Sequence, residues 1–145
     1  MNPVIALLVV GALLVATLGV GLAVRLWPRR ARRVHGQEVV DPVRLGAERL
    51  GEQATLLQFS TELCARCPGV HRVLASVAES RPGVAHLDVD LTHRPDIARH
   101  FHVLQTPTTL ILDRHGVART RFGGAPGRDV LELELSRITE ETSHG

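Results

Sequence analysis

Two cysteines, Cys64 and Cys67, stand with two residues between them and are the only cysteines in the chain. Structural zinc needs about four ligands, commonly two such pairs or one pair with two closely spaced histidines. His100 and His102 are only two apart, and His71 reads as an exposed helix residue, so no zinc set assembles from the sequence. Haem attachment requires His directly after the second cysteine, and Pro68 stands there. A redox pair is the best remaining use, with no metal or cofactor expected. Two inert core cysteines in a reducing compartment also fit the bare spacing.

The flanking pattern gives the redox use a physical basis. The run Ala54 to Phe59 (ATLLQF) is short, apolar and closely bounded, as a buried strand is. Val70, Val73, Leu74 and Val77 then fall at i, i+3, i+4 and i+7, one face of a helix that runs to about Ser80. The cysteines therefore lie at a strand-to-helix junction. Unpaired N–H groups and a partial positive charge at a helix N-terminus favour a thiolate over a thiol. Such cysteines titrate at about 3.5 to 7.5, against about 8.5 for a free one. Cys64, first of the pair and nearer the cap, is expected to be the exposed nucleophile. Cys67, one turn further in, is expected to resolve the mixed disulfide. Arg66 places a cation near both sulfurs, where it would favour thiolate and meet substrate; an arginine at a helix start is also commonly just solvated.

The elements that position the pair occupy only part of the 145 residues. Residues 3–26 hold only one ionisable residue, Arg25, at the end of the run, and about two dozen helical residues match a bilayer core of roughly 30 Å. Basic residues follow this run rather than precede it, which favours a retained transmembrane anchor over a cleaved signal. Trp27 would sit at the headgroups, and 27–40 reads as a basic linker ahead of a globular domain at 41–142. The formal charge of +2 reflects Arg25, Arg29, Arg30, Arg32 and Arg33, which cluster beside the span, so no nucleic-acid footprint is expected. Because those five arginines lie after the span, the domain is expected on the cytoplasmic side, with an extracytoplasmic domain as the alternative.

Within the domain, Asp41-Pro42 predicts an N-cap and first helical residue for a short helix to about Leu50. Val84 to Val89 predicts a strand, Arg94 to Phe101 a helix, and Thr108 to Leu112 a strand with Val117 to Phe122 as its hairpin partner. After Pro126, Leu131, Leu135 and Ile138 fit a helical face, although Leu131, Leu133 and Leu135 also alternate as a strand would.

Taken together, residues 52 to 140 resemble the thioredoxin superfamily. The resemblance is carried by the strand Ala54 to Phe59, by Cys64-Ala65-Arg66-Cys67 opening a helix, and by Thr106-Pro107-Thr108 opening the later strand. It implies an α/β fold, a mixed sheet with flanking helices, preceded here by one N-terminal transmembrane helix. It assigns Pro107 a cis peptide bond beside the redox pair, and makes Thr106 the residue whose backbone meets substrate. The implied activity is thiol-disulfide exchange that reduces protein or small-molecule disulfides, with a thiol electron donor such as a reductase and the lipid bilayer as partners. A persulfide or metal carrier on the same pair, or a non-catalytic interaction module, are the alternatives. Three departures stand out. Leu63 replaces the Trp that often precedes the first cysteine, Ala65-Arg66 replaces Gly-Pro, and Gln58 occupies the position of a buried acid thought to move protons for the resolving thiol.

Overall fold

The computed structural model of the protein describes residues 2–26, 32–33 and 39–143. The apolar run forms one helix, α1 (Pro3–Leu26). At 1.5 Å per residue its 24 residues span about 36 Å, enough to cross a bilayer core. Its segment Pro3–Ala23 buries nothing against the rest of the protein. Trp27 and Pro28, with Arg29 and Arg30, lie outside the described residues. Residues 31 and 34–38 also lie outside them, and the described linker residues join the domain. Arg32–Arg33 forms a two-residue strand, β1, Val39 bridges to Val117, and Val40 is buried with its N–H on the carbonyl of Gly116.

The domain is built on β2 (Ala54–Ser60), β3 (Val84–Asp90), β4 (Thr108–Asp113) and β5 (Ala118–Gly123). The strand order is β1-β5-β4-β2-β3. β2 runs parallel to β3 and antiparallel to β4, and β4 is antiparallel to β5. A parallel neighbour cannot be reached by a tight turn, so the chain crosses over through helix α2 (Cys67–Glu79) between β2 and β3. Helices α3 (Pro95–His100) and α4 (Arg128–Ser143) complete the fold.

Side-chain alternation divides the core between the two faces of the sheet. Ala54 and Leu56 of β2 pack with Val70, Leu74 and Val77 of α2 and with Leu131, Leu135 and Ile138 of α4. Leu57 and Phe59 point the other way, toward Ile97 and Phe101, and the Phe59 and Phe101 rings lie 5.1 Å apart. Gln58 shares the α2 face with Ala54 and Leu56, and by the same alternation His86 and Asp88 of β3 share it with Val84. This parity places polar residues beneath the start of α2.

Two sequence expectations change or resolve. Asp41 does cap the segment after it, accepting the N–H of Val43 at 3.0 Å. The helix is only a 3-10 turn, Val43–Leu45, because Gly46 enters the left-handed region at φ 81° and ends it. After Pro126 the helical reading holds: Leu131, Leu135 and Ile138 are buried in α4, while Leu133 is exposed.

Candidate functional site

The segment from β2 to α2 turns tightly, with the Cys64 N–H on the carbonyl of Thr61 and the Cys67 N–H on that of Cys64, both at 3.1 Å. Cys64 and Cys67 are joined as a disulfide. Helix α2 begins at Cys67, with Arg66 at the cap position and Pro68 in the first turn. Cys67, not Cys64, is thus the first helical residue, and Cys64 sits in the turn that leads in. Proline lacks an N–H and has its φ fixed, so it suits the first helical turn, and Pro68 sets the helix start just before itself. Cys67 is buried at 5% exposure, whereas Cys64 lies partly open to solvent.

A second loop meets the segment that leads into the pair. The Thr106–Pro107 peptide bond is cis, and Pro107 is buried at the start of β4. Its carbonyl accepts the N–H of Gly124 at 2.7 Å, and the Thr106 hydroxyl meets that of Thr61 at 3.1 Å. The loop leaving β2 and the loop entering β4, which the antiparallel pairing places at one end of the sheet, are thereby tied together. Leu63 and Leu104, one in each loop, are almost fully exposed at 97% and 95%. Arg66 is exposed at the helix start; the arginine that lines the cleft beside the disulfide is Arg72.

That open cleft, about 400 Å³, is bordered by Cys64, Cys67, Ser60, His71 and Asp88. Behind it, Gln58 is fully buried, and its Nε2 donates to the carbonyl of Cys67 at 3.1 Å. Since a carbonyl only accepts, the amide oxygen must face the other way, where His86 Nε2 lies 3.3 Å off and donates to it. The His86 ring meets the His71 ring edge-on at 4.7 Å between centroids. His71 Nδ1 in turn donates to Asp88 Oδ2 at 3.0 Å, and Asp88 Oδ1 accepts from Ser60 Oγ at 2.7 Å. Burial is the main cause that holds His86 below the usual histidine range; the neighbouring His71 adds to this, and Asp88 partly opposes it.

Sequence reasoning found the cysteines and the Thr106–Pro107 loop but read His71 as a plain exposed residue and did not single out His86 or Asp88. Two signals were available. His71 is four residues after Cys67, hence on the same side of α2, and the polar positions of VAHLDV repeat every second residue. Neither shows that the two sets meet, because that requires the β2–β3 register, which pairs Leu56 with His86 and Gln58 with Asp88.

A mixed sheet with a Cys-x-x-Cys disulfide at the head of the crossover helix, and a cis-proline loop tied to the segment before it, defines a thiol-disulfide oxidoreductase. The sequence model of the thioredoxin family matches residues 47–137, and the chain belongs to that family. It is 40% identical over 86 residues to the thioredoxin of Mycobacterium bovis, covering 57% of this chain and 72% of that protein. Over 84 residues it is 37% identical to the thioredoxin of Mycolicibacterium smegmatis, covering 56% and 74%. A bifunctional thioredoxin reductase/thioredoxin of Mycobacterium leprae is 36% identical over 86 residues, 18% of its own length. Among solved structures, thioredoxin NaTrxh from Nicotiana alata superposes with a TM-score of 0.53 at 24% identity, covering 60% of this chain and 74% of that one. Fasciola hepatica thioredoxin does so at 0.53 and 22%, covering 61% and 83%. At these identities the superpositions speak for the fold.

Proposed function

We propose that the protein is a membrane-tethered reductant of protein or small-molecule disulfides, held by α1 with its domain on the cytoplasmic side. The observation that carries the reading is the unequal exposure of the two sulfurs, Cys64 partly open on a cleft and Cys67 buried behind it. Cys64, as thiolate, attacks one sulfur of a substrate disulfide; that bond breaks, one substrate thiolate leaves, and a mixed disulfide remains on Cys64. Cys67 then attacks Cys64 Sγ, and the second substrate sulfur departs with the electron pair. The substrate has gained two electrons and the protein holds the Cys64–Cys67 disulfide, which a thiol donor must reduce. A reductase fits that role, and the relative that joins a thioredoxin reductase to a thioredoxin supports it.

The backbone at Thr106, ahead of the buried cis-Pro107, is the surface on which an extended substrate segment would lie, and Arg66, exposed at the start of α2, would meet its acidic groups. The bilayer assignment rests on the length and composition of α1. Its orientation rests on the five arginines that follow the apolar core of the span. A cytoplasmic pair is kept reduced by the surrounding thiol pool, which suits a reductant. The test is the reduction potential of the pair in the full chain, solubilised in detergent and equilibrated against glutathione buffers. A value at or below the cytosolic glutathione poise is expected; one far above it marks an oxidant and overturns the reading.

A further inference from the structure

We propose that His71, oriented by Asp88, is the proton acceptor for Cys67 when that thiol resolves the mixed disulfide on Cys64. The inference rests on the oxidoreductase reading above and adds the group that makes the buried thiol reactive.

Cys67 needs such a group. A thiol attacks only as thiolate, and burial favours the neutral form. Gln58, which donates to the Cys67 carbonyl, is a neutral amide and offers no base. From the turn before α2 the cleft is faced by Glu62, from α2 by Arg72, and from β3 by Asp88 and Asp90. Arginine remains charged and carboxylates are weak bases at neutral pH. Asp90 is weaker still, since the Thr92 hydroxyl and N–H hold its carboxyl below the usual range.

Imidazole alone in this set titrates near neutrality. Of the two rings, His86 is occupied, with its Nε2–H on the Gln58 carbonyl oxygen, and it packs behind His71 rather than on the cleft. His71 lines the cleft one helical turn from Cys67. A carboxylate accepts only, so the bond to Asp88 fixes the proton of neutral His71 on Nδ1 and leaves Nε2 as a free lone pair. Ser60 holds the other Asp88 oxygen, and the His86 ring packs against the imidazole in a T-shaped contact. Base and orienting group are thus fixed from three elements, β2, β3 and α2.

The step balances as follows. Cys67 gives its proton to His71 Nε2, and its sulfur forms a bond to Cys64 Sγ while the bond from Cys64 to the partner sulfur breaks. The electron pair leaves on the partner sulfur, so the Cys67 sulfur is oxidised from thiol to disulfide, the partner sulfur is reduced to thiolate, and Cys64 stays disulfide-bonded throughout. The imidazolium, paired with Asp88, returns its proton to the departing thiolate. When a donor thiol later opens the disulfide, its sulfur bonds to Cys64 Sγ as the Cys64–Cys67 bond breaks, and His71 takes the donor thiol's proton and passes it to the departing Cys67 thiolate.

A chromogenic aryl disulfide separates the steps, because attack by Cys64 releases one aryl thiolate and resolution by Cys67 releases a second. With the reduced full chain in detergent and stopped-flow detection near neutral pH, His71→Gln is expected to lower the ratio of second-phase to first-phase rates about 100-fold, as loss of a general base does. The variant's resolution rate should keep rising with pH where the parent's levels off. Asp88→Asn removes a positioning residue, keeps the imidazole, and should move the parent's inflection to lower pH. An unchanged ratio for His71→Gln throughout the titration range of imidazole overturns the proposal. Should that variant fail to fold, as read by circular dichroism, an Asp88→Asn profile with an unmoved inflection overturns it equally. A parent that releases no first aryl thiolate defeats the oxidoreductase reading itself, and this proposal with it.

Discussion

The buried amide of Gln58 spans the space between the Cys67 carbonyl, 3.1 Å from its Nε2, and the His86 ring, 3.3 Å from its Oε1. One neutral side chain therefore fixes the helix start that carries the redox pair to the polar face of β3. Gln58→Glu keeps the shape and reverses the logic at the Cys67 end, where an ionised carboxylate would face a carbonyl with no proton between them. Burial and that carbonyl favour the protonated acid, so its folded-state pKa lies above the unfolded value. Relative to the parent, the variant is expected to be nearly neutral in acid and to lose about 1 to 3 kcal/mol as pH rises above the unfolded Glu value. Urea midpoints of the two proteins at mildly acidic and mildly alkaline pH measure this; a constant difference between the two would refute it.

Replacing the two cysteines separates their roles. Cys64→Ser is expected to abolish reduction of a protein disulfide by the full chain with a thiol donor. Cys67→Ser should instead accumulate mixed disulfides, visible as slower bands on non-reducing gels that vanish with reductant. Turnover by Cys64→Ser equal to the parent's would end the enzymatic assignment of that sulfur.

Asp113 ties the β4–β5 turn together. It is fully buried, accepts the N–H groups of His115 and Val117 through Oδ1, and meets Arg119 Nε at 2.7 Å. Burial pushes its carboxyl up, but the Val117 N–H, Arg119 and the His115 N–H together outweigh burial and leave it below the usual range. A depressed folded-state pKa contributes stability that is complete above the unfolded value of about 3.9 and is lost as pH falls through the folded one. The parent should accordingly weaken below about pH 4, while Asp113→Asn shows a shallower acid dependence. Asp113→Ala leaves the turn N–H groups without their acceptor and is expected to cost about 1 to 3 kcal/mol in chemical denaturation.

Orientation in the membrane is open to direct measurement. Intact cells treated with a permeant reductant and then with a membrane-impermeant thiol reagent should leave Cys64 unlabelled, with strong labelling only after lysis. Labelling before lysis would put the domain outside and remove the argument for a cytoplasmic reductant.

The sequence alone determined whatever depends on local pattern. The periodicity of Val70, Val73, Leu74 and Val77 marks the face of α2 because a helix must bury one side. The run from Pro3 to Leu26 declares a long apolar helix because length and polarity suffice for that. Local pattern was weaker at chain ends and turns: Asp41 was legible as a cap, yet the backbone at Gly46 decided that only a single turn followed. Tertiary structure decided what depends on register and close approach. His71 on α2 and Asp88 on β3 are 17 residues apart, and no spacing rule connects them. They meet because β3 pairs in parallel with β2 so that Gln58 lies opposite Asp88, and because α2 packs over that face with Cys67 and His71 one turn apart. A shift of one residue in that pairing would turn His86 and Asp88 to the opposite face, so the polar chain behind the cysteines belongs to the sheet register rather than to any motif.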